Sequence, residues 1–318
     1  MATVYAIASA KGGVGKTTTT AAVATLLAES GADVVAIDAD IGMANLADAL
    51  GVTPGETTVH DVLAGDADPE AAVHEGPDGL RVVPGETAID AYAAADPSKL
   101  RAVVEAFADA DYVFLDAGAG LSHDSTLPLG LADETLLVST RERSALGDTE
   151  KTRQLVERLG GSVAGAVLTR VDARDLDDGH EAEIVADILN ADVLGRIPED
   201  PAILRASTAG EPVVSTEPNA PASHAYRDLV RALTGATIDD PEPVEGVDDP
   251  GNDDDPAEDV DDTVEGADDP RDDDDLIVAD TGPAGMGEAG DEEEIIVADE
   301  QPVEGDSDET DGVNETDD

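Results

Sequence analysis

Short apolar runs alternate with helix-length amphipathic stretches from the N-terminus to Leu233. The strand-like runs are residues 4–9, 34–38, 80–84, 112–116, 135–139, 163–169 and 193–197. Apolar residues recur with helical spacing over 17–30, 97–108, 145–159, 181–189 and 222–233. Most of the runs place apolar residues on both faces of the strand, so both faces are expected to be covered. Strands of that kind separated by helices predict an α/β fold with a mostly parallel sheet and helices on both faces. About 235 residues is enough for one such domain with a sizeable core.

The pattern stops after Gly235. Residues 238–318 carry few apolar side chains and a high charge density, which cannot offset the entropy of ordering a chain. The expected organisation is therefore a folded domain over 1–237 and a disordered acidic tail over 238–318. The tail repeats itself. Pro243-Val-Glu-Gly-Val-Asp-Asp-Pro250 recurs as Thr263-Val-Glu-Gly-Ala-Asp-Asp-Pro270, and in part at 302–305. An acidic run at 272–275 precedes Leu276-Ile-Val278, and another at 291–294 precedes Ile295-Ile-Val297.

Charge sharpens this picture. The chain has 75 acidic and 17 basic residues, a net of −58. Residues 239–318 hold 36 acids against one base, Arg271, for a net of −35. The other 39 acids and 16 bases give the remaining 238 residues a net of −23. The lysines are only Lys11, Lys16, Lys99 and Lys151. An acidic, lysine-poor body resembles the proteins of extreme halophiles, whose carboxylates keep a surface hydrated in concentrated salt. At molar salt the Debye length is about 3 Å, so net charge speaks to solubility more than to partners. The absence of a basic stripe argues against a broad nucleic-acid surface. There is no cysteine, which excludes disulfides and iron–sulfur ligation by this chain. No basic-then-apolar leader and no apolar run near 20 residues is seen, so a cytoplasmic protein is expected.

The candidate chemistry begins at Lys11-Gly-Gly-Val-Gly-Lys-Thr-Thr18. A strand enters this glycine-rich turn and a helix leaves it, as a phosphate-binding loop requires. Glycines let the backbone fold round an anion with N–H groups inward, and the helix N-terminus adds its positive dipole end. Lys16 is placed for the β- and γ-phosphates and the Thr17 hydroxyl for magnesium. The loop departs from G-x-x-x-x-G-K-[ST] at Ala10, and a second lysine, Lys11, follows it. Asp38 and Asp116 end apolar strands, where a parallel sheet gathers its site. Asp40 stands two residues beyond Asp38.

These motifs resemble the deviant Walker motif of the MinD/ParA ATPases. The resemblance extends through Ile37-Asp-Ala-Asp-Ile-Gly-Met-Ala-Asn-Leu46, residues 112–116, Leu168-Thr-Arg170, Ile197-Pro-Glu-Asp200 and Gly210-Glu-Pro-Val213. It covers about residues 3–234 and none of the tail. It implies ATP with Mg2+ as cofactors, bound by Lys11, Gly12, Gly13, Val14, Gly15, Lys16, Thr17 and Thr18. Thr17, Asp38 and Asp116 are implied as the metal-side residues, and Asp40 as the switch residue beside the attacking water. Lys11 is implied to reach the nucleotide of a partner copy, making an ATP-bound homodimer. Thr169 and Arg170, with Pro198 and Asp200, are candidates for the adenine side. The family usually carries proline where this chain has Gly118, which frees a segment that proline would stiffen. The five histidines have no metal-like spacing and are expected at the surface.

Within that family, iron–sulfur relatives need cysteines that are absent here. Cell-division MinD proteins usually end in a basic amphipathic helix that lies on membrane; none is evident here. The leading expectation is an ATP-dependent switch that positions division, motility or chemosensory machinery through a protein partner. A DNA-partitioning ATPase and a nucleotide-bound scaffold with little hydrolysis remain alternatives. The apolar triplets of the tail are either docking strands for a partner's sheet edge or part of a solvating halophilic tail.

Overall fold

The computed structural model describes residues 1–176 and 179–242. The expected acidic tail lies, apart from its first residues, outside the described residues, as do its repeated motifs. Among the described residues eight strands form one sheet in the order β3-β4-β2-β5-β1-β6-β7-β8. The strands are β1 (Thr3–Ala8), β2 (Val34–Ala39), β3 (His74–Glu75), β4 (Arg81–Val83), β5 (Tyr112–Ala117), β6 (Glu134–Ser139), β7 (Ser162–Val171) and β8 (Val193–Pro198). All neighbours are parallel except β3 with β4. β3 has no counterpart in the apolar pattern, because a two-residue edge strand leaves no period to detect.

The helices are α1 (Lys16–Glu29), α2 (Leu46–Leu50), α3 (Val59–Ala64), α4 (Ile89–Ala94), α5 (Leu100–Ala106), α6 (His123–Thr126), α7 (Arg143–Arg158), α8 (Gly179–Leu189), α9 (Pro201–Ala209), α10 (Val213–Thr216) and α11 (Pro221–Thr234). Strand residues alternate between two cores, as a period of two demands. Val34 and Ala36 of β2 join α1 and α11 in one core. Val35 and Ile37 join α3 and α5 in the other. α1 lies centrally in the first: residues 19–28 are all buried. A helix buried all round has no polar stripe, which is why Thr19, Thr20 and Thr25 are fully enclosed with the alanines and leucines.

Packing continues past residue 237, where the sequence places the domain boundary. Ile238 is buried in the α1–α11 core. Arg231 of α11 donates to the Ile238 carbonyl at 2.6 Å and to Asp240 Oδ1 at 2.8 Å. No described helix is long and apolar enough to cross a membrane.

The order places β1 between β5 and β6. Chain segments leave such a switch point in opposite directions and open a crevice at the carboxyl ends of the strands. The glycine-rich turn after β1 lies at that crevice.

Candidate functional site

The turn after β1 is built round left-handed glycines. Gly13 and Gly15 have φ of +74° and +95°, a region that side chains with a Cβ rarely adopt. Gly15 caps α1 and gives its carbonyl to Thr19 N–H at 2.9 Å. No atom would lie within 4 Å of a Cβ on Gly12 or Gly13, so the loop backbone is open on that side. Ser9 Oγ donates to the Lys11 carbonyl at 2.8 Å and pins the loop's first half. Val14 is buried and anchors the loop's centre to the core. Together these features direct N–H groups and the start of α1 at one space, which suits an anion.

That space is a cleft of about 680 Å3. Gly12, Gly13, Val14, Gly15, Lys16, Thr17 and Thr18 line one wall, with Asp40 beside them. Thr169, Arg170, Pro198 and Asp200 also line the cleft, with Ile203, Leu204 and Tyr226 adding apolar surface. A polar cradle continuous with an apolar slot matches a phosphorylated ligand with a flat ring system.

Asp116 lies beneath the loop, fully buried at the end of β5. Thr17 Oγ1 donates to its Oδ2 at 2.7 Å, and Thr20 Oγ1 to its Oδ1 at 2.8 Å. Desolvation raises its pKa, opposed by the charge of nearby Lys16 and by the two threonine hydroxyls. Asp38 pairs with Asp116 across the β2–β5 ladder. Burial and the Asp116 charge push Asp38 up to about 7. Its oxygens accept the N–H groups of Asp40 at 3.2 Å and of Asn45 and Leu46 at 2.9 Å each. The sequence assigns Asp38 to the metal side; in the structure its carboxylate also folds the loop 40–46 and starts α2. Asp40 Oδ1 accepts the Met43 N–H at 3.1 Å, and the residue lines the cleft.

Lys11 is turned away from its own loop. Its Nζ donates to Ser144 Oγ of α7 at 2.7 Å and lies 3.7 Å from Asp148 Oδ2. The side chain is 38% exposed.

Thr169 and Arg170, expected on the adenine side, line the cleft and also bind the glycine loop. The Thr169 hydroxyl donates to the Val14 carbonyl at 2.6 Å, with the Ser139 carbonyl at 3.3 Å. Arg170 Nη2 donates to the Gly13 carbonyl at 2.6 Å. The β7–β8 register shifts between Leu168 and Val171, and Arg170 has φ of +54°. A bulge with one left-handed residue re-aims side chains that a regular strand would send to opposite faces. Both therefore grip the glycine loop from the side. Asp200 is likewise committed: Oδ1 caps α9 at Ala202 N–H (2.8 Å) and Oδ2 accepts Ala222 N–H of α11 (3.1 Å). Pro198 stays on the cleft wall.

The expectation that the histidines lie at the surface fails at His60, which is 2% exposed. It bonds Ile41 O and Glu86 N. Its signal in the sequence is slight: it sits inside Val59-His-Asp-Val-Leu63, whose apolar positions all turn inward.

Residues 5–213 match the CobQ/CobB/MinD/ParA nucleotide-binding domain. An uncharacterized ATP-binding protein of Methanocaldococcus jannaschii is 37% identical over 237 residues, 74% of this chain and 89% of its own. The septum site-determining protein MinD of Pyrococcus horikoshii, solved with Mg-ADP, is similar with a TM-score of 0.68 and 32% identity, covering 74% of this chain and 96% of that one. MinD in the MinC:MinD complex of Aquifex aeolicus is similar with a TM-score of 0.65 and 33% identity, covering 75% and 98%.

Proposed function

This chain belongs to the MinD/ParA nucleotide-binding family, and we propose that within it the chain is a MinD-like ATPase that works as an ATP-dependent dimerisation switch. In this reading the backbone N–H groups of residues 12–16 and the Lys16 ammonium hold the phosphates. Thr17 and Asp116 hold magnesium. Their oxygens are already paired at 2.7 Å, and a hydroxyl with a carboxylate is a hard-oxygen set that fits this ion. Magnesium supplies charge neutralisation for phosphoryl transfer. Asp40, on the loop folded by Asp38, orients the attacking water.

The observation that carries the dimer reading is the position of Lys11. A lysine bound to Ser144 and Asp148 of its own chain is held against α7 rather than folded over its own loop. An exposed pair of this kind is weak, so the ammonium is available to the nucleotide of a second copy. The dimer then positions a cargo by binding a protein partner; the Aquifex relative is solved in a complex with MinC. The nucleotide assignment is tested by titrating Mg-ATP into wild type and Lys16→Ala. Binding by the wild type alone is expected, and a wild type without affinity for Mg-ATP contradicts it.

A further inference from the structure

We propose that His60 is a positioning residue that holds the switch loop carrying Asp40 in its working shape. The kinetic half of the test rests on the ATPase reading above; the structural half does not.

His60 sits on α3 with its ring sealed from solvent. Glu86 N lies 2.9 Å from Nδ1, and the Ile41 carbonyl lies 2.9 Å from Nε2. The partners fix the proton's place. A backbone N–H can only donate, so Nδ1 accepts; a carbonyl can only accept, so Nε2 carries the hydrogen. One neutral imidazole thus spans two loops, 40–46 after β2 and 84–88 after β4.

The rest of the neighbourhood is built for the same purpose. Val59 N–H donates to the Pro84 carbonyl at 2.8 Å, tying the second loop to the start of α3. A Cβ on Gly85 would stand 2.3 Å from Ala44 Cβ and 3.4 Å from Asp38 Cγ, so the two loops lie in direct contact there. α3 itself is stiffened where Asp61 accepts Thr58 N–H at 2.7 Å. Asp38 holds the switch loop by its N–H groups, and His60 holds it by a carbonyl. Ile41 is 3% exposed and follows Asp40 directly. Without His60 its carbonyl is left in a buried place, and the loop must move to satisfy it.

A role in folding alone predicts something different, and two conservative variants separate the cases. In His60→Asn the side-chain oxygen reaches the position of Nδ1, so the Glu86 bond survives and the Ile41 bond is lost. In His60→Gln the amide reaches the position of Nε2, so the Ile41 bond survives and the Glu86 bond is lost. Each removes one hydrogen bond, and both are expected to lower Tm to a similar degree. Positioning predicts that kcat falls about tenfold or more in Asn while KM for Mg-ATP holds, a loss in the range that small misplacements cause. Gln stays close to wild type. Amide hydrogen exchange should cross over: faster at 40–46 in Asn, faster at Glu86 in Gln. Equal kcat losses that track Tm, without that crossover, overturn the proposal. A wild type that does not turn over ATP contradicts the ATPase reading, and the exchange crossover then decides the role of His60 by itself.

Discussion

A Cβ placed on Gly118 would stand 3.2 Å from Asp40 Oδ1 and 2.9 Å from Ser125 Oγ. The loop carrying Asp40 and the segment after β5 touch at this glycine. Its lack of a side chain permits this close approach. Gly118→Ala, and more so Gly118→Pro, must displace the Ser125 hydroxyl or the Asp40 carboxylate. Overpacking of this kind costs about 1 kcal/mol or a little more. A Tm drop of about 2–4 °C is expected for a domain of this size, with Mg-ATP affinity kept and turnover reduced. Calorimetry and a phosphate-release assay read the two effects.

Thr169 and Arg170 act on the glycine loop from 155 and 157 residues away. Thr169→Val keeps the shape and deletes the hydroxyl bond to Val14. A net loss of about 1 kcal/mol corresponds to about fivefold weaker nucleotide binding. Because the support is to the phosphate loop, ATP and GTP should weaken by the same factor. A change in the ATP/GTP ratio would instead restore these residues to the base.

Asp38 makes stability depend on pH with a defined sign. Its pKa rises from 3.8 to about 7 on folding, through burial and the Asp116 charge. Between those values the folded chain keeps a proton that the unfolded chain has lost. Stability from this group is therefore present at the acid end and lost as pH rises through 7. Asp116 is shifted in the same direction. The difference in Tm between wild type and Asp38→Asn, followed from pH 4.5 to 8 without nucleotide, should move steadily against the wild type as pH rises. A flat difference would contradict the buried, unneutralised pair.

Much of this fold is legible along the chain. The apolar runs at β1, β2, β5 and β6 are buried on both faces, so they stand out whatever their neighbours. The spacing of Gly12, Gly13, Gly15 and Lys16 is local and carries its own geometry. What escapes is set by long-range packing. The two-residue β3 and the short α3 and α4 lack a period to read. His60 looks like any polar residue until Ile41 and Glu86 arrive from two other strands' ends. Thr169 and Arg170 look like the end of a strand until the register shift turns both towards Val14 and Gly13. Asp200 reads as a loop carboxylate, and only the fold brings α11 to its second oxygen.

The central claim is that Lys11 leaves Ser144 and Asp148 to complete the site of a second copy. It is tested most directly by light-scattering mass in the Asp40→Ala background, where slowed turnover keeps ATP in place. With Mg-ATP the mass should double relative to the nucleotide-free chain. Adding Lys11→Ala should leave Mg-ATP binding intact and hold the mass at that of one chain. Doubling that survives Lys11→Ala, or a mass that never responds to Mg-ATP, would contradict the account.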